Sequence, residues 1–115
     1  MTQATYICYV YADYSTLLSI AENFNPKLEK GQLDVEVYDW GEMEIMMHIE
    51  IEDGVDPYAV LAGDASPWGK DYDRQWRGKD YYDERKIERA INLAIEPEDP
   101  LAKYRVVHEG WEIYE

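Results

Sequence analysis

Apolar and polar side chains alternate along almost the whole of residues 33–52. In residues 33–39 the apolar set points one way and the polar set the other, and after a short turn at Asp39-Trp40-Gly41 the alternation resumes. Successive side chains of a strand point to opposite faces, so a period of two residues is typical of strands buried on one face. The pattern predicts an antiparallel hairpin with one face on the core and one in water, with Met46 the single apolar residue of the outward face.

Two other regions predict further strands around this hairpin. Residues 5–11 are rich in Tyr, Ile and Val with little polar alternation, which predicts a central strand buried on both faces. Near the end of the chain, residues 103–108 and 111–115 predict a second hairpin that is closed at Glu109-Gly110. Together with the first hairpin, these segments give a mainly antiparallel sheet of about five strands.

Helices are predicted from capping residues and from apolar residues spaced about 3.6 apart. Ser15 is predicted to cap the first helix, Asp56-Pro57 to open a short helix that stops at Gly63, and Asp80 to cap a longer one. The resulting order is β-α-β-β-α-α-β-β, an α+β fold in one domain (residues 1–115) with two or three helices on one face of the sheet. The predicted buried helix positions are Leu17, Ile20, Ala21, Phe24, Leu28, Val60, Leu61, Ile87, Ala90, Ile91, Ala94 and Ile95.

The negative charge is concentrated in one region of the chain. The net charge is −14, from 25 acidic and 11 basic residues. Residues 31–66 contain ten acidic residues and no basic residue, whereas residues 1–30 and 67–95 are close to balance. Such a surface repels nucleic acid and anionic membranes, so direct binding to either is disfavoured and a basic partner is favoured.

The outward face of the predicted hairpin carries much of this charge in rows. Same-face residues of a strand lie roughly 6.6 Å apart, twice the rise per residue, similar to the separation of successive phosphates on one nucleic-acid strand. Like charges facing each other across a hairpin destabilise it, so folding alone gives no reason to place them there. The face is then either a plain solvated surface or one complementary to a nucleic-acid-binding cleft. The predicted partner-binding residues are Asp34, Glu36, Tyr38, Asp39, Trp40, Glu42, Glu44, His48, Glu50, Glu52 and Asp53.

The aromatic content favours a surface complementary to a nucleic-acid-binding cleft over a plain solvated surface. The chain has 11 Tyr and four Trp against a single Phe. Tyr and Trp anchor protein interfaces because they combine an apolar body with a polar edge. Tyr38, Trp40 and Met46 lie among the carboxylates and are predicted to add apolar contacts between them. The alternative is that most of these rings are core residues with one edge in water.

In its size, its high Tyr content and the charge layout of residues 31–66, the chain resembles the acidic DNA-mimic inhibitors carried by phages and plasmids. No motif of a particular member is matched, so no residue role is transferred. The resemblance implies a non-enzymatic inhibitor that occupies the basic nucleic-acid-binding site of a restriction or CRISPR component. Two alternatives stay open: an immunity protein or antitoxin that neutralises a basic nuclease toxin, and a small enzyme or ligand-binding domain with an acidic pocket.

Cysteine and histidine give no catalytic pattern. Cys8 lies among apolar residues and is interpreted as a buried, unreactive thiol; a single cysteine forms no internal disulfide, which predicts a reducing cytoplasmic setting. His48 and His108 belong to no metal-binding motif. His48 lies among carboxylates, which predicts a pH-sensitive position and not a metal ligand.

The sequence patterns for calcium binding and for nucleic-acid binding are incomplete as well. Asp71-x-Asp73 resembles the start of a calcium loop, but Trp76 and Tyr82 stand where that loop needs Gly and Glu. The mixed segment 70–89 has aromatic and basic residues that could grip a single strand, but interleaved acidic residues cancel most of its field. We therefore predict no cofactor, no metal, no enzymatic activity and no membrane segment.

Overall fold

The computed structural model describes residues 1–24, 32–69, 82–97 and 99–114, and these form an α+β fold. Within these residues, four strands form one antiparallel sheet, where the sequence predicted about five, and three helices accompany it. The strands are β1 (Thr2–Ala12), β2 (Gln32–Tyr38), β3 (Glu42–Ile51) and β4 (Tyr104–Tyr114), and the helices are α1 (Tyr14–Asn23), α2 (Pro57–Leu61) and α3 (Glu84–Ile95).

The sheet has the strand order β2-β3-β1-β4, and every neighbouring pair is antiparallel. The predicted central position of β1 is confirmed, but its predicted burial on both faces is wrong. Tyr6, Cys8 and Val10 are buried, whereas Tyr9 and Tyr11 are partly exposed. The described helices pack against the other face only, and tyrosine suits such a boundary because its hydroxyl stays in contact with water.

The β2–β3 hairpin has the predicted turn. Tyr38 pairs with Glu42, and the backbone N–H of Gly41 donates to the carbonyl of Tyr38 at 3.2 Å. Gly41 has a φ of +93°, and a Cβ there would lie 3.0 Å from the carbonyl oxygen of Ala12, so the turn requires glycine. The predicted alternation is confirmed, since the buried side chains of β3 are Met43, Ile45, Met47, Ile49 and Ile51.

β4 is one strand with a bulge, and the predicted C-terminal hairpin is wrong. The register shifts at Glu109, because Ile7 pairs with Gly110 whereas the next residue, Cys8, pairs with His108. Gly110 has a φ of +88°, a conformation that both tight turns and β-bulges use. Glu109-Gly110 therefore resembles a turn in the sequence, although the chain continues in the same direction along β1.

The helix caps differ from the predicted residues. Asp13, and not Ser15, stands at the N-cap of α1, because β1 ends directly before it and the chain turns at once. α3 is capped by Asp83, whose carboxylate accepts a hydrogen bond from the backbone N–H of Arg85 at 2.8 Å. The predicted cap Asp80 lies outside the described residues.

The short helix α2 forms as predicted. The Asp56 carboxylate accepts a hydrogen bond from the backbone N–H of Tyr58 at 3.0 Å, and Pro57 is the first helical residue. Gly63, with a φ of +81°, follows the C-terminal end and donates its N–H to the carbonyl of Val60 at 3.0 Å. Cap, first-turn proline and terminal glycine thus act together to bound a helix of five residues.

The helices pack on one face of the sheet, as predicted. Their apolar stripes join the inward side chains of the strands in one buried cluster, and each fully buried Leu or Ile contributes about 1.5–3 kcal/mol to stability. Ala21, Phe24 and Leu61 are only partly buried against this cluster, and Leu28 lies outside the described residues. The helix positions that are buried are Leu17, Ile20, Val60, Ile87, Ile91 and Ile95.

Candidate functional site

The face of the sheet opposite the helices, here called the open face, carries carboxylates on three of its four strands. Residues paired across neighbouring strands share a face, so the register assigns each side chain to a side. All four strands together contain one Lys or Arg, Arg105. The carboxylates that the register places on the open face are Asp34, Glu36, Glu42, Glu44, Glu50 and Glu112.

The register aligns these groups in rows across the sheet. In one row Glu36 of β2 lies opposite Glu44 of β3, which lies opposite Tyr9 of β1. In the next row Tyr38 lies opposite Glu42, which lies opposite Tyr11. The glutamates of neighbouring rows on β3 are about 6.6 Å apart, twice the strand rise. The open face is therefore a regular array in which carboxylates and tyrosines are mixed.

Neutral hydrogen-bond donors fix the carboxylates at the hairpin end of the open face. The Tyr38 hydroxyl donates to Glu36 Oε2 at 2.6 Å. Glu42 accepts from the indole N–H of Trp40 at its Oε2 (2.9 Å) and from the Tyr11 hydroxyl at its Oε1 (3.4 Å). Phenol and indole groups orient a carboxylate without cancelling its charge. These anions are held in place and remain anions.

The pKa values of two tyrosines on this face are raised, chiefly by hydrogen bonding and burial and to a smaller extent by the neighbouring carboxylates. The hydrogen bond to Glu36 raises the pKa of Tyr38 to about 12, with further contributions from desolvation and from the charges of Glu44, Glu36 and Glu42. Burial raises the pKa of Tyr9 as well, followed by the charge of Glu44 and then of Glu109. Both hydroxyls therefore stay protonated at neutral pH, so Tyr38 keeps donating to Glu36.

The face contains little positive charge of its own. The Cζ atom of Arg105 lies 4.8 Å from the centre of the Tyr11 ring, a cation–π contact. His48 Nε2 lies 3.0 Å from Asp34 Oδ2, and its Nδ1 lies 3.0 Å from the hydroxyl of Thr5. Within the described residues, the six carboxylates thus exceed the cations near them, and the described helices leave them uncovered.

Most of the predicted partner-binding residues lie together. Asp39 and Trp40 occupy the turn at the hairpin tip, next to the open face. Glu52 and Asp53 lie beyond the end of β3: Glu52 borders Gly69, and Asp53 lies 3.3 Å from the N-terminal ammonium of Met1. The residues that the register places on the open face are Asp34, Glu36, Tyr38, Glu42, Glu44, His48 and Glu50.

Sequence reasoning missed the part of the open face that comes from β1 and β4. The predicted burial of β1 on both faces leaves out the exposure of Tyr9 and Tyr11, although their spacing of two residues places them on one side of the strand. That spacing of two residues is the sequence signal that identifies both tyrosines as residues of one strand face. Arg105 and Glu112 lie on the open face because β4 pairs with β1. The predicted C-terminal hairpin did not include this pairing.

The helix-facing side holds a polar network that the sequence did not reveal. The Tyr6 hydroxyl lies 2.8 Å from His108 Nδ1, and His108 Nε2 lies 2.8 Å from Asn92 Oδ1. Because the amide oxygen only accepts, Nε2 carries the proton and Nδ1 accepts from Tyr6. Burial raises the pKa of the neighbouring Cys8 thiol to about 12, which agrees with its predicted lack of reactivity.

Searches of the described residues and comparisons with known proteins add no other site. Among the residues that the structure describes, no group of three or more His, Cys, Asp or Glu could hold a metal ion, and no helix is long and apolar enough to cross a membrane. In comparisons with family models, with curated proteins and with solved structures, no significant match was found. The calcium-like Asp71-x-Asp73 and most of segment 70–89 lie outside the described residues.

Proposed function

We propose that this chain is a non-enzymatic inhibitor that occupies the basic nucleic-acid-binding site of another protein in the cytoplasm. The observation that carries the proposal is the open face, where six carboxylates stand in rows with one strand guanidinium among them. A cleft that binds nucleic acid offers Lys and Arg side chains to regularly spaced anions, and this face offers such anions.

Preorganisation supports the proposal beyond net charge. Tyr38 and Trp40 hold the carboxylates of Glu36 and Glu42 before any partner arrives. Fixing a charged side chain in advance reduces the entropy that binding would otherwise cost. A face that serves solubility alone needs no such fixing, and mixed charge would serve it better.

The same geometry determines how association depends on salt. The acidic field steers a basic partner toward the open face, so the association rate is expected to fall steeply as ionic strength rises. The rate of dissociation depends more on close contacts, including that of the exposed Trp40 ring at the hairpin tip. In the phage context that the resemblance implies, the partner is a restriction or CRISPR component.

Capture followed by competition tests the proposal. Immobilised chain is exposed to host lysate, and the retained proteins are then challenged with duplex DNA or structured RNA. We expect the retained proteins to be nucleic-acid-binding proteins. We also expect added DNA or RNA to displace them from the immobilised chain. If the retained protein stays bound while its nucleic acid binds normally, mimicry is wrong.

The same experiment separates the alternative of an immunity protein or antitoxin. That alternative shares the acidic surface but requires one dedicated nuclease partner. A single nuclease bound outside its nucleic-acid cleft, and insensitive to added DNA or RNA, would favour it over the inhibitor.

A further inference from the structure

Trp40 is an exposed aromatic ring held in a fixed position at the hairpin tip. Its ring stacks on that of Tyr38, with 4.4 Å between centroids and 12° between planes. Even so, 70% of Trp40 is accessible to solvent. One ring face is therefore covered by Tyr38, and the opposite face is open.

The indole is also tied to a carboxylate. Its N–H donates to Glu42 Oε2 at 2.9 Å, which fixes the ring plane and keeps the anion at the ring edge. Glu36, held by Tyr38 at 2.6 Å, lies on the neighbouring strand. The tip therefore combines an open ring face with a positioned carboxylate at the ring edge, that of Glu42, whereas Glu36 is bound to the ring that covers the other face.

On the other side of Glu42, the chain itself places a guanidinium over an aromatic ring that is hydrogen-bonded to the same carboxylate. Tyr11 donates its hydroxyl to Glu42 Oε1, and the guanidinium of Arg105 lies over the Tyr11 ring at 4.8 Å. Both oxygens of one carboxylate thus accept from an aromatic residue. Tyr11 carries a guanidinium on its ring, whereas none of the described residues places a cation over Trp40.

We infer that Trp40, with Glu42, receives an arginine side chain of the partner. The inference rests on the proposed function and names the chemistry of one contact within it. A guanidinium is planar and weakly hydrated, so it can stack on indole while its N–H groups donate to the Glu42 carboxylate at the ring edge. A lysine ammonium is a compact, strongly hydrated charge that gains less from this arrangement. The site therefore selects arginine over lysine.

Two peptides that differ only in the cation test this selectivity. The probes are peptides of alternating glycine with either four arginines or four lysines, titrated into the full chain at about 10 mM salt, where the Debye length is about 30 Å. The Trp40 indole N–H signal in NMR spectra reports binding at the tip. An exposed cation–π contact changes affinity by about two- to fivefold. Lysine makes a weaker version of the same contact, so we expect the arginine peptide to bind more tightly by a factor of up to about five.

Matched variants locate the selectivity. Trp40→Ala is expected to remove the preference for arginine, and Trp40→Phe to keep part of it because a ring remains. Tyr58→Ala is the control, since Tyr58 is 74% exposed but lies on α2, and it should leave the preference unchanged. For the alanine variants, peptide binding is followed by backbone amide shifts of β2 and β3.

The outcomes distinguish this inference from the proposed function. Equal affinity of the wild-type chain for both peptides, with both lost on neutralising Glu36, Glu44 and Glu50, contradicts the arginine site and leaves the proposed function in place. A preference for arginine that persists in Trp40→Ala also contradicts the site. If neither peptide binds at low salt, the inference and the proposed function both fail.

Discussion

Replacing Glu44 by glutamine should stabilise the fold, because the open face brings like charges together. Glu44 lies directly opposite Glu36 on β2, and Glu42 lies two residues away on the same strand face. Directly opposed Cβ atoms are about 5 Å apart and same-face neighbours about 6.6 Å apart. Glu44 accepts no hydrogen bond from the described side chains, so its removal costs no such bond.

These separations give the expected magnitude. In water, a unit charge repels another by about 0.8 kcal/mol at 5 Å and about 0.6 kcal/mol at 6.6 Å. Screening reduces the total to about 1.2 kcal/mol at 10 mM salt and about 0.7 kcal/mol at 0.15 M. For a chain of this size, the low-salt value corresponds to a rise in melting temperature of about 5 °C.

Urea denaturation at the two salt concentrations measures the free energy of unfolding directly. Asp64→Asn is the control, since Asp64 is exposed and lies outside the strands, and it should change stability little. A Glu44→Gln chain that is no more stable than wild type at low salt would refute the repulsion argument. So would a gain that does not shrink as salt rises.

Further predictions concern the polar network and the bulge. Burial lowers the pKa of His108, against smaller raising contributions from Glu88 and Glu84, so the unfolded chain takes up more protons as the pH falls below about 6.5. The His108 contribution to stability is thus present above that pH and lost below it. His108→Gln should therefore lose less unfolding free energy than wild type between about pH 7.5 and 5.5, and an equal or greater loss contradicts the shift. Gly110→Ala should cost about 1–2 kcal/mol because of its positive φ. Gly54→Ala, with nearly the same φ and open space around it, should cost about as much, since the Glu84 carboxylate near Gly110 is the end of a flexible, exposed side chain that can move aside. Calorimetry measures both costs, and a Gly110→Ala chain as stable as wild type contradicts the strain.

The parts of the fold that the sequence predicted are those set by local patterns. The alternation of 33–52 places each side chain of β2 and β3 on the correct face, because a strand with one buried face needs that period. Asp56-Pro57 likewise bounds α2, since cap and proline act within one turn. Such signals need no knowledge of the rest of the chain.

The predictions that were wrong concern features that depend on pairing between distant segments of the chain. Gly110 gave the same local signal for a bulge as for a turn, and only the full-length pairing of β4 with β1 separates the two. Tyr9 and Tyr11 appeared buried because tyrosine is compatible with both core and boundary. The contribution of β1 and β4 to the open face therefore follows only from the strand order β2-β3-β1-β4.

The affinity of a captured partner for matched charge variants tests the central claim most directly. Glu36→Gln, Glu44→Gln and Glu50→Gln together neutralise three anions of the open face. Glu22→Gln, Asp64→Asn and Glu96→Gln remove the same charge from exposed positions elsewhere; Glu22, Asp64 and Glu96 all lie outside the strands.

At about 1 kcal/mol for each contact, the open-face triple variant should bind roughly 100-fold more weakly than wild type, while the control triple variant should stay within about threefold. Calorimetric titration of both variants at one salt concentration gives the comparison. Equal losses in the two variants would mean that overall charge, and not the array on the open face, drives binding, and the account would be wrong.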